Sequence, residues 1–264
     1  MVFRHSFNLS LTVQPTIFAA QEHIMRKILV LVLAFFATLP AFSQDPKTKN
    51  NIEIPNRPGD HFMVQLAYNF WTGAPDSINS HISGFQRSAN VYVMLNKAFK
   101  SNPRFSLGIG LGLGTSNMYL DKMEIKIASL ERDLPFIATD TVENFKKYKL
   151  ATAYLEVPLE LRFTSKPETP NKSVKGAIGI KVGTLANAHT KGKELRDARG
   201  NTINSYTAKE STKRYFNNTR FAATARVGYG PFSIFGAYDF NGIFKDAVAP
   251  DMKLWQLGLC ISGL

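Results

Sequence analysis

Residues 150–163, with the sequence LATAYLEVPLELRF, constrain the fold more than any other part of the chain. The odd-numbered residues of this stretch are all apolar, whereas the even-numbered ones include Glu156, Glu160 and Arg162. Only the two-residue period of a β-strand places these two sets on opposite faces, because a helix would mix them. The charged face cannot contact lipid or a dry protein core. We therefore expect a strand with one face in lipid and the other in a polar interior.

The same two-residue period recurs in seven further segments of the chain, all with apolar residues on one side and small or polar residues on the other. About ten residues per strand are enough to cross a tilted outer-membrane wall. The predicted strands cover about residues 61–71, 87–99, 104–117, 150–163, 174–186, 217–229, 232–240 and 252–263.

The predicted connections alternate between short and long. Those after the second, fourth and sixth strands are short, and those after the other strands are longer, in particular residues 118–147 and 187–216. This alternation is typical of outer-membrane barrels. A soluble barrel of lipocalin type would have its apolar face inside, but here the charged face has too few large residues to pack a core. We predict an all-β fold, an eight-stranded antiparallel transmembrane β-barrel of up-and-down topology with short periplasmic turns and longer extracellular loops.

Aromatic residues near both ends of the predicted strands fit the two girdles of such a barrel. We expect an outer girdle that includes Trp71, Tyr148 and Phe216, among other residues.

Composition and charge exclude two classes of protein. The mean hydropathy of −0.12 excludes a polytopic helical membrane protein. The formal charge of +12 comes mostly from segments between strands, where acidic residues are interspersed and no recognition helix or zinc spacing occurs. We therefore expect no nucleic-acid partner and instead a solvated loop surface or one that meets anionic lipopolysaccharide.

The third predicted strand has glycine at every second position from Gly108 to Gly114. A phosphate-binding loop would need a preceding strand and a following helix, and the sequence predicts neither. We expect these glycines to leave room for large side chains inside a narrow barrel.

Seven charged residues are predicted to point into the lumen. Isolated charges there would cost several kcal/mol each, so we expect them to pair, with Glu156 opposite Lys181 and Arg220 opposite Asp239. Their predicted role is a structural plug that closes the barrel, and the alternative is a gated or narrow pore, or a ligand site at the outer mouth. The cluster consists of Glu156, Glu160, Arg162, Lys181, Arg220, Arg226 and Asp239.

The sequence predicts no catalytic, cofactor-binding or metal-binding residues. His61, His81 and His189 show neither metal-ligand spacing nor the spacing of a catalytic dyad. We therefore expect a non-enzymatic protein without cofactors, with a lipid-modifying enzyme as the weaker alternative. Cys260 has no second cysteine to pair with and is predicted to be a small buried residue.

An export signal is predicted at residues 25–43. Met25, Arg26 and Lys27 precede a short apolar run, and the small-residue site before Gln44 predicts cleavage after Ser43. An uncleaved anchor is the alternative. Residues 1–24 have no basic-then-apolar order of their own, which is compatible with a start at Met25 as well as at Met1. Residues 44–59 are predicted to be a periplasmic lead-in, and residues 60–264 form the barrel.

The segment AYLEVPLELRF, residues 153–163, resembles the tyrosine-leucine-glutamate-hydrophobic-proline-leucine signature of the PorT-like outer-membrane barrels of Bacteroidetes. The Ser43-Gln44 junction is similar to signal junctions of that phylum. The resemblance covers about residues 60–264 and implies an eight-stranded outer-membrane barrel. For the founding member it implies a part in secretion of adhesins and proteases through the type IX system. The C-terminal residue, Leu264, departs from the aromatic residue on which such barrels commonly end.

We expect several partners in the outer membrane. They are the barrel-insertion machinery, outer-membrane lipid and lipopolysaccharide, and other secretion or surface proteins. The expected function is a structural or interaction role in the outer membrane that assists secretion or surface assembly.

Overall fold

The computed structural model describes residues 62–263. The predicted N-terminal extension (1–24), signal peptide (25–43) and lead-in (44–59) lie outside the described residues, as do His61 and Leu264.

Strands dominate the described residues, with one short α-helix and one 3₁₀ helix. In chain order the elements are β1 (Phe62–Thr72), α1 (Asp76–Asn79), β2 (Arg87–Ala98), β3 (Phe105–Leu120), β4 (Met123–Ile125), β5 (Phe136–Ala138), β6 (Asn144–Thr164), the 3₁₀ helix (Pro170–Lys172), β7 (Val174–Arg196), β8 (Thr202–Ser211), β9 (Thr219–Tyr229), β10 (Phe232–Asp239) and β11 (Lys253–Ser262). No helix in this part of the chain is both long and apolar enough to cross a membrane.

Nine of the strands form one antiparallel sheet in the order β6-β3-β2-β1-β11-β10-β9-β7-β8, and β6 also pairs with β7. The last pairing closes the sheet into a ring of eight strands, with β8 attached outside the ring to the upper part of β7. The predicted eight-stranded antiparallel barrel is confirmed, because each ring strand coincides with a predicted one.

The two faces of the ring strands differ in exposure as the sequence predicts. On β6, Leu155 and Val157 are about two-fifths exposed (42% and 41%), whereas Glu156 between them is fully buried at 0%. The apolar side chains therefore form the outer surface of the barrel, and the polar ones fill its interior. Cys260 is buried on the inner face, as predicted.

The two long connections predicted at residues 118–147 and 187–216 are present, but they contain strands that were not predicted. In the first segment β4 and β5 form a hairpin and β6 already begins at Asn144; in the second, β7 continues to Arg196 and β8 pairs with it. These extensions rise beyond the membrane-spanning part, where water and not lipid contacts their outer face. The apolar face that marks a lipid-facing strand is therefore missing from their sequence.

A hydrophobic cluster, which we call the mouth core, fills the extracellular end of the barrel. Hydrogen bonds join its backbone segments. The Tyr215 hydroxyl lies within hydrogen-bond distance of the carbonyl oxygens of Ser129 (2.8 Å) and Glu131 (2.7 Å), and the Tyr148 hydroxyl donates to the Ile125 carbonyl (2.8 Å). Members of the mouth core include Trp71, Met118, Leu120, Met123, Ile125, Ile127, Leu134, Phe145, Tyr148, Leu150, Leu185, Tyr215, Phe216, Ile243, Phe244, Met252 and Leu254.

Three aromatic residues predicted for the outer girdle belong to the mouth core instead. Trp71, Tyr148 and Phe216 are 8%, 6% and 0% exposed. Trp71 follows the outward-facing Phe70 on β1, so strand alternation turns it inward. The girdle prediction was wrong for these residues because it used their height along the strands and not their face.

Candidate functional site

All seven predicted lumen residues are buried inside the barrel. β6 contributes Glu156, Glu160 and Arg162, and the neighbouring strands β7, β9 and β10 contribute the remaining four. Strand alternation explains the arrangement, because every one of these residues occupies an inward-facing position. The structure brings the seven together in two groups, which lie at different heights along the barrel.

The first group, which we call the outer group, is centred on Glu156. Arg220 Nη1 lies 2.9 Å from Glu156 Oε1, Lys181 Nζ lies 3.4 Å from Oε2, and the Tyr92 hydroxyl donates to Oε2 at 2.5 Å. Arg220 Nε also donates to Asp239 Oδ2 at 2.8 Å. Two cations and two carboxylates balance, so the group buries no net formal charge.

The second group, which we call the inner group, lies toward the periplasmic end and is centred on Glu160. Arg162 Nε donates to Glu160 Oε2 at 2.8 Å, and Arg226 Nη2 donates to the same oxygen at 3.1 Å. Arg226 Nη1 also donates to the Ser262 hydroxyl at 3.2 Å. Within the described residues, this group thus joins two guanidinium groups to one carboxylate.

Both predicted ion pairs form, Glu156 with Lys181 and Arg220 with Asp239. The predicted strand register was wrong by two residues, since the residue opposite Glu156 is Gly183 and the pairs are diagonal. Long Lys and Arg side chains reach a diagonal neighbour on the same face, which is why the contacts tolerate the offset.

The glycines of β3 accommodate these charges, as predicted. A β-carbon on Gly114 would lie 2.5 Å from Glu156 Oε2, and one on Gly108 would lie 2.6 Å from Arg162 Nε. Any side chain at these positions would displace a member of the outer or the inner group.

Sequence reasoning missed the uncharged part of the network. Lys181 Nζ donates to Gln256 Oε1 (3.3 Å), whose amide donates to the Ser88 hydroxyl (2.5 Å), and Ser88 donates to Asn69 Oδ1 (2.5 Å). Together with Tyr92, these residues carry the network across the lumen to β1, β2 and β11. All four lie on the polar side of predicted strands, and the need of a buried polar group for a partner was the available signal.

The structure brings one histidine to a carboxylate that the sequence did not suggest. His81 Nε2 lies 3.2 Å from Asp140 Oδ2, and His81 Nδ1 lies 3.2 Å from the Ser80 hydroxyl. However, Nδ1 is closer to the Ser77 carbonyl, at 2.8 Å. A carbonyl only accepts hydrogen bonds, so this contact requires a protonated Nδ1. The nitrogen beside Ser80 is therefore occupied and cannot take a proton from that hydroxyl.

His189 lies beyond the membrane-spanning part. Burial and the nearby Lys209, Lys149 and Lys191 lower its pKa from the ordinary value. Across residues 62–263, no three or more His, Cys, Asp or Glu side chains are arranged to hold a metal ion.

The match to a protein family agrees with this architecture. Residues 44–245 match the family described as outer membrane protein beta-barrel domain. A search of curated proteins finds no match. Among solved structures, the chain is similar to Ail, the attachment invasion locus protein of Yersinia pestis, with 11% sequence identity and a TM-score of 0.28 over 76% of this chain and 95% of that one. Because the family match spans more than half of the chain, the protein belongs to the outer membrane protein beta-barrel domain family.

Proposed function

We propose that this protein is a closed, non-enzymatic barrel that acts through its extracellular surface, in a structural or interaction role in the outer membrane. The occupied lumen carries this proposal. The inner group, the outer group and the mouth core fill the interior at three successive heights. An eight-stranded barrel is only wide enough for side chains to fill, so this filling leaves the extracellular end as the surface available to partners.

The resemblance to PorT-like barrels supports a finer proposal. The segment that carries it lies on β6, and its two glutamates, Glu156 and Glu160, are the centres of the two charge groups. We infer that the chain is a PorT-like barrel that assists secretion or surface assembly, with other surface or secretion proteins as partners.

A photo-crosslinking residue at Leu130 tests the interaction role. Leu130 is 86% exposed in the segment between β4 and β5, so the reporter would meet a partner without disturbing the barrel. We expect a discrete protein adduct in living cells, identified by mass spectrometry as a secretion or surface component. The matched control is the same reporter at the lipid-facing Leu111, which is 52% exposed and should give no such adduct. Absence of an adduct from Leu130 would argue for a purely structural barrel.

A narrow pore is the second candidate. Within the described residues, Arg220 Nη2 and Asp239 Oδ1 are buried without a hydrogen-bond partner. The outer group thus has capacity to bind water or an ion in addition to its own contacts. Single-channel recording separates the two functions.

A lipid-modifying enzyme is the remaining alternative. It would require a nucleophile beside a free base, and Ser80 does not meet this condition because His81 Nδ1 is engaged by the Ser77 carbonyl.

A further inference from the structure

Six cations lie together on the outward face of the barrel, above its apolar band. Cross-strand pairing sets Lys149 opposite Lys191, Lys147 opposite Lys193, and Lys191 opposite Lys209. Arg87 on β2 joins them through Tyr119, because its Nη2 donates to the Tyr119 hydroxyl at 2.7 Å and Lys149 Nζ lies 5.7 Å from the centre of the same ring. We call this set the cationic row; it consists of Arg87, Lys147, Lys149, Lys191, Lys193 and Lys209.

Contacts within the barrel compensate this arrangement only in part, because Lys149 Nζ donates to the neutral Asn117 Oδ1 at 2.6 Å. Like charges directly opposite each other destabilise a sheet. The structure pairs none of the six with a carboxylate of residues 62–263: nearby Glu194 is bound by Lys146 at 2.7 Å, and Glu210 accepts from the Ala128 amide at 3.3 Å. Partial burial and the cations Arg87, Lys191 and Lys193 lower the pKa of Lys149 from its ordinary value. An external anion would remove this repulsion.

The height of the row identifies where that anion lies. The outward apolar face of β6 runs from Phe163 to Ala153. The ten steps between these residues rise about 23 Å at a strand tilt of about 45°, which is close to the height of an outer-membrane apolar band. Lys149 lies four residues further along the same strand, about 9 Å above that band by the same geometry. This depth is the headgroup layer of the outer leaflet.

The cationic row also forms the wall of a cavity. Arg87, Tyr119, Lys147, Lys149, Lys191 and Lys193 line a cavity of about 250 Å³. Lysines bind phosphate as point charges, and arginine presents a rigid fork of donors. We propose that the cationic row binds the phosphate groups of a glycolipid of the outer leaflet and so attaches the β2, β3, β6 and β7 side of the barrel to a bound lipid.

Binding of diphosphorylated lipid A to the refolded full chain in detergent micelles tests this proposal. Each basic side chain near an anionic membrane surface contributes about fivefold in affinity, so Lys149→Gln with Lys191→Gln should weaken binding about 30-fold. The matched control, Lys166→Gln with Lys172→Gln, removes two exposed lysines of a periplasmic connection and should bind as the wild type does. Heat-modifiable migration in gels verifies that each variant is folded.

A comparison of ligands shows whether the row binds the phosphates of a lipid or soluble anions in general. We expect lipid A without phosphate, inorganic phosphate and heparin to bind at least tenfold more weakly than diphosphorylated lipid A. Equal affinity of the two double variants would overturn the proposal. Equal binding of phosphate-free lipid A would also overturn it, and binding of heparin or inorganic phosphate as tight as that of lipid A would assign the row to soluble anions instead.

Discussion

Replacement of Arg220 by methionine gives the sharpest test of the lumen network. The guanidinium of Arg220 contacts Glu156 Oε1 at 2.9 Å and Asp239 Oδ2 at 2.8 Å, and its side chain is only 4% exposed. Arg220→Met leaves two buried carboxylates with Lys181 as the remaining cation of the outer group. Loss of one partner from a buried ion pair costs about 3–5 kcal/mol, so the folding constant should fall by roughly two to four powers of ten.

A second substitution separates charge from packing. Arg220→Met combined with Asp239→Asn leaves Glu156 and Lys181 as a balanced pair, so we expect it to recover at least about 2 kcal/mol of the loss. Urea unfolding in lipid vesicles, followed by tryptophan fluorescence, measures both variants. Lys166→Met, at an exposed periplasmic position, is the control and should stay within about 0.5 kcal/mol of the wild type. A single variant as stable as this control, or a double variant less stable than the single one, would refute the reasoning.

Three further variants test other parts of the structure. Gly114→Val should lower the stability of the barrel to urea, because its β-carbon would lie 2.5 Å from Glu156 Oε2 and would displace that carboxylate from its partners, whereas Gly176→Val, with no atom closer than 3.9 Å, should change stability much less. Tyr92→Phe should cost about 1.5–3 kcal/mol in urea unfolding, because the hydroxyl donates to a charged acceptor. Burial raises the pKa of Tyr148, which lies beyond the membrane-spanning part, to about 12. The unfolded state therefore loses this proton at a lower pH than the folded state, so the free energy of unfolding should decrease between about pH 10 and pH 12. For Tyr148→Phe this free energy should decrease less over the same range.

The ring strands could be predicted from the sequence because lipid and lumen impose opposite requirements on alternate residues. From this contrast we could predict that Glu156, Glu160 and the other charged residues lie inside the barrel. The ion pairs were predicted correctly in spite of a two-residue error in register, because the Lys and Arg side chains are long enough to reach a diagonal neighbour. The Gly108–Gly114 alternation was informative for the same reason, since large side chains can enter a narrow lumen only where others are missing.

The extracellular part lacked that contrast. β8 and the extended part of β7 have polar residues on both faces, and β4 and β5 are only three residues long. Residues of the mouth core come from different connections: Ile125 and Leu134 from the one between β3 and β6, and Phe244 from the one between β10 and β11. No periodic pattern therefore links them in the sequence. Their packing depends on tertiary contacts alone, and sequence reasoning assigned the longest of these segments to loops.

Single-channel recording of the refolded chain in planar bilayers tests the closed lumen most directly. The account predicts no unitary current from the wild type. It also predicts none from the Glu156→Gln, Lys181→Met double variant, because the inner group and the mouth core still fill the interior. Stepwise currents from the wild type that change in size in the double variant would contradict the account and establish a pore through the outer group.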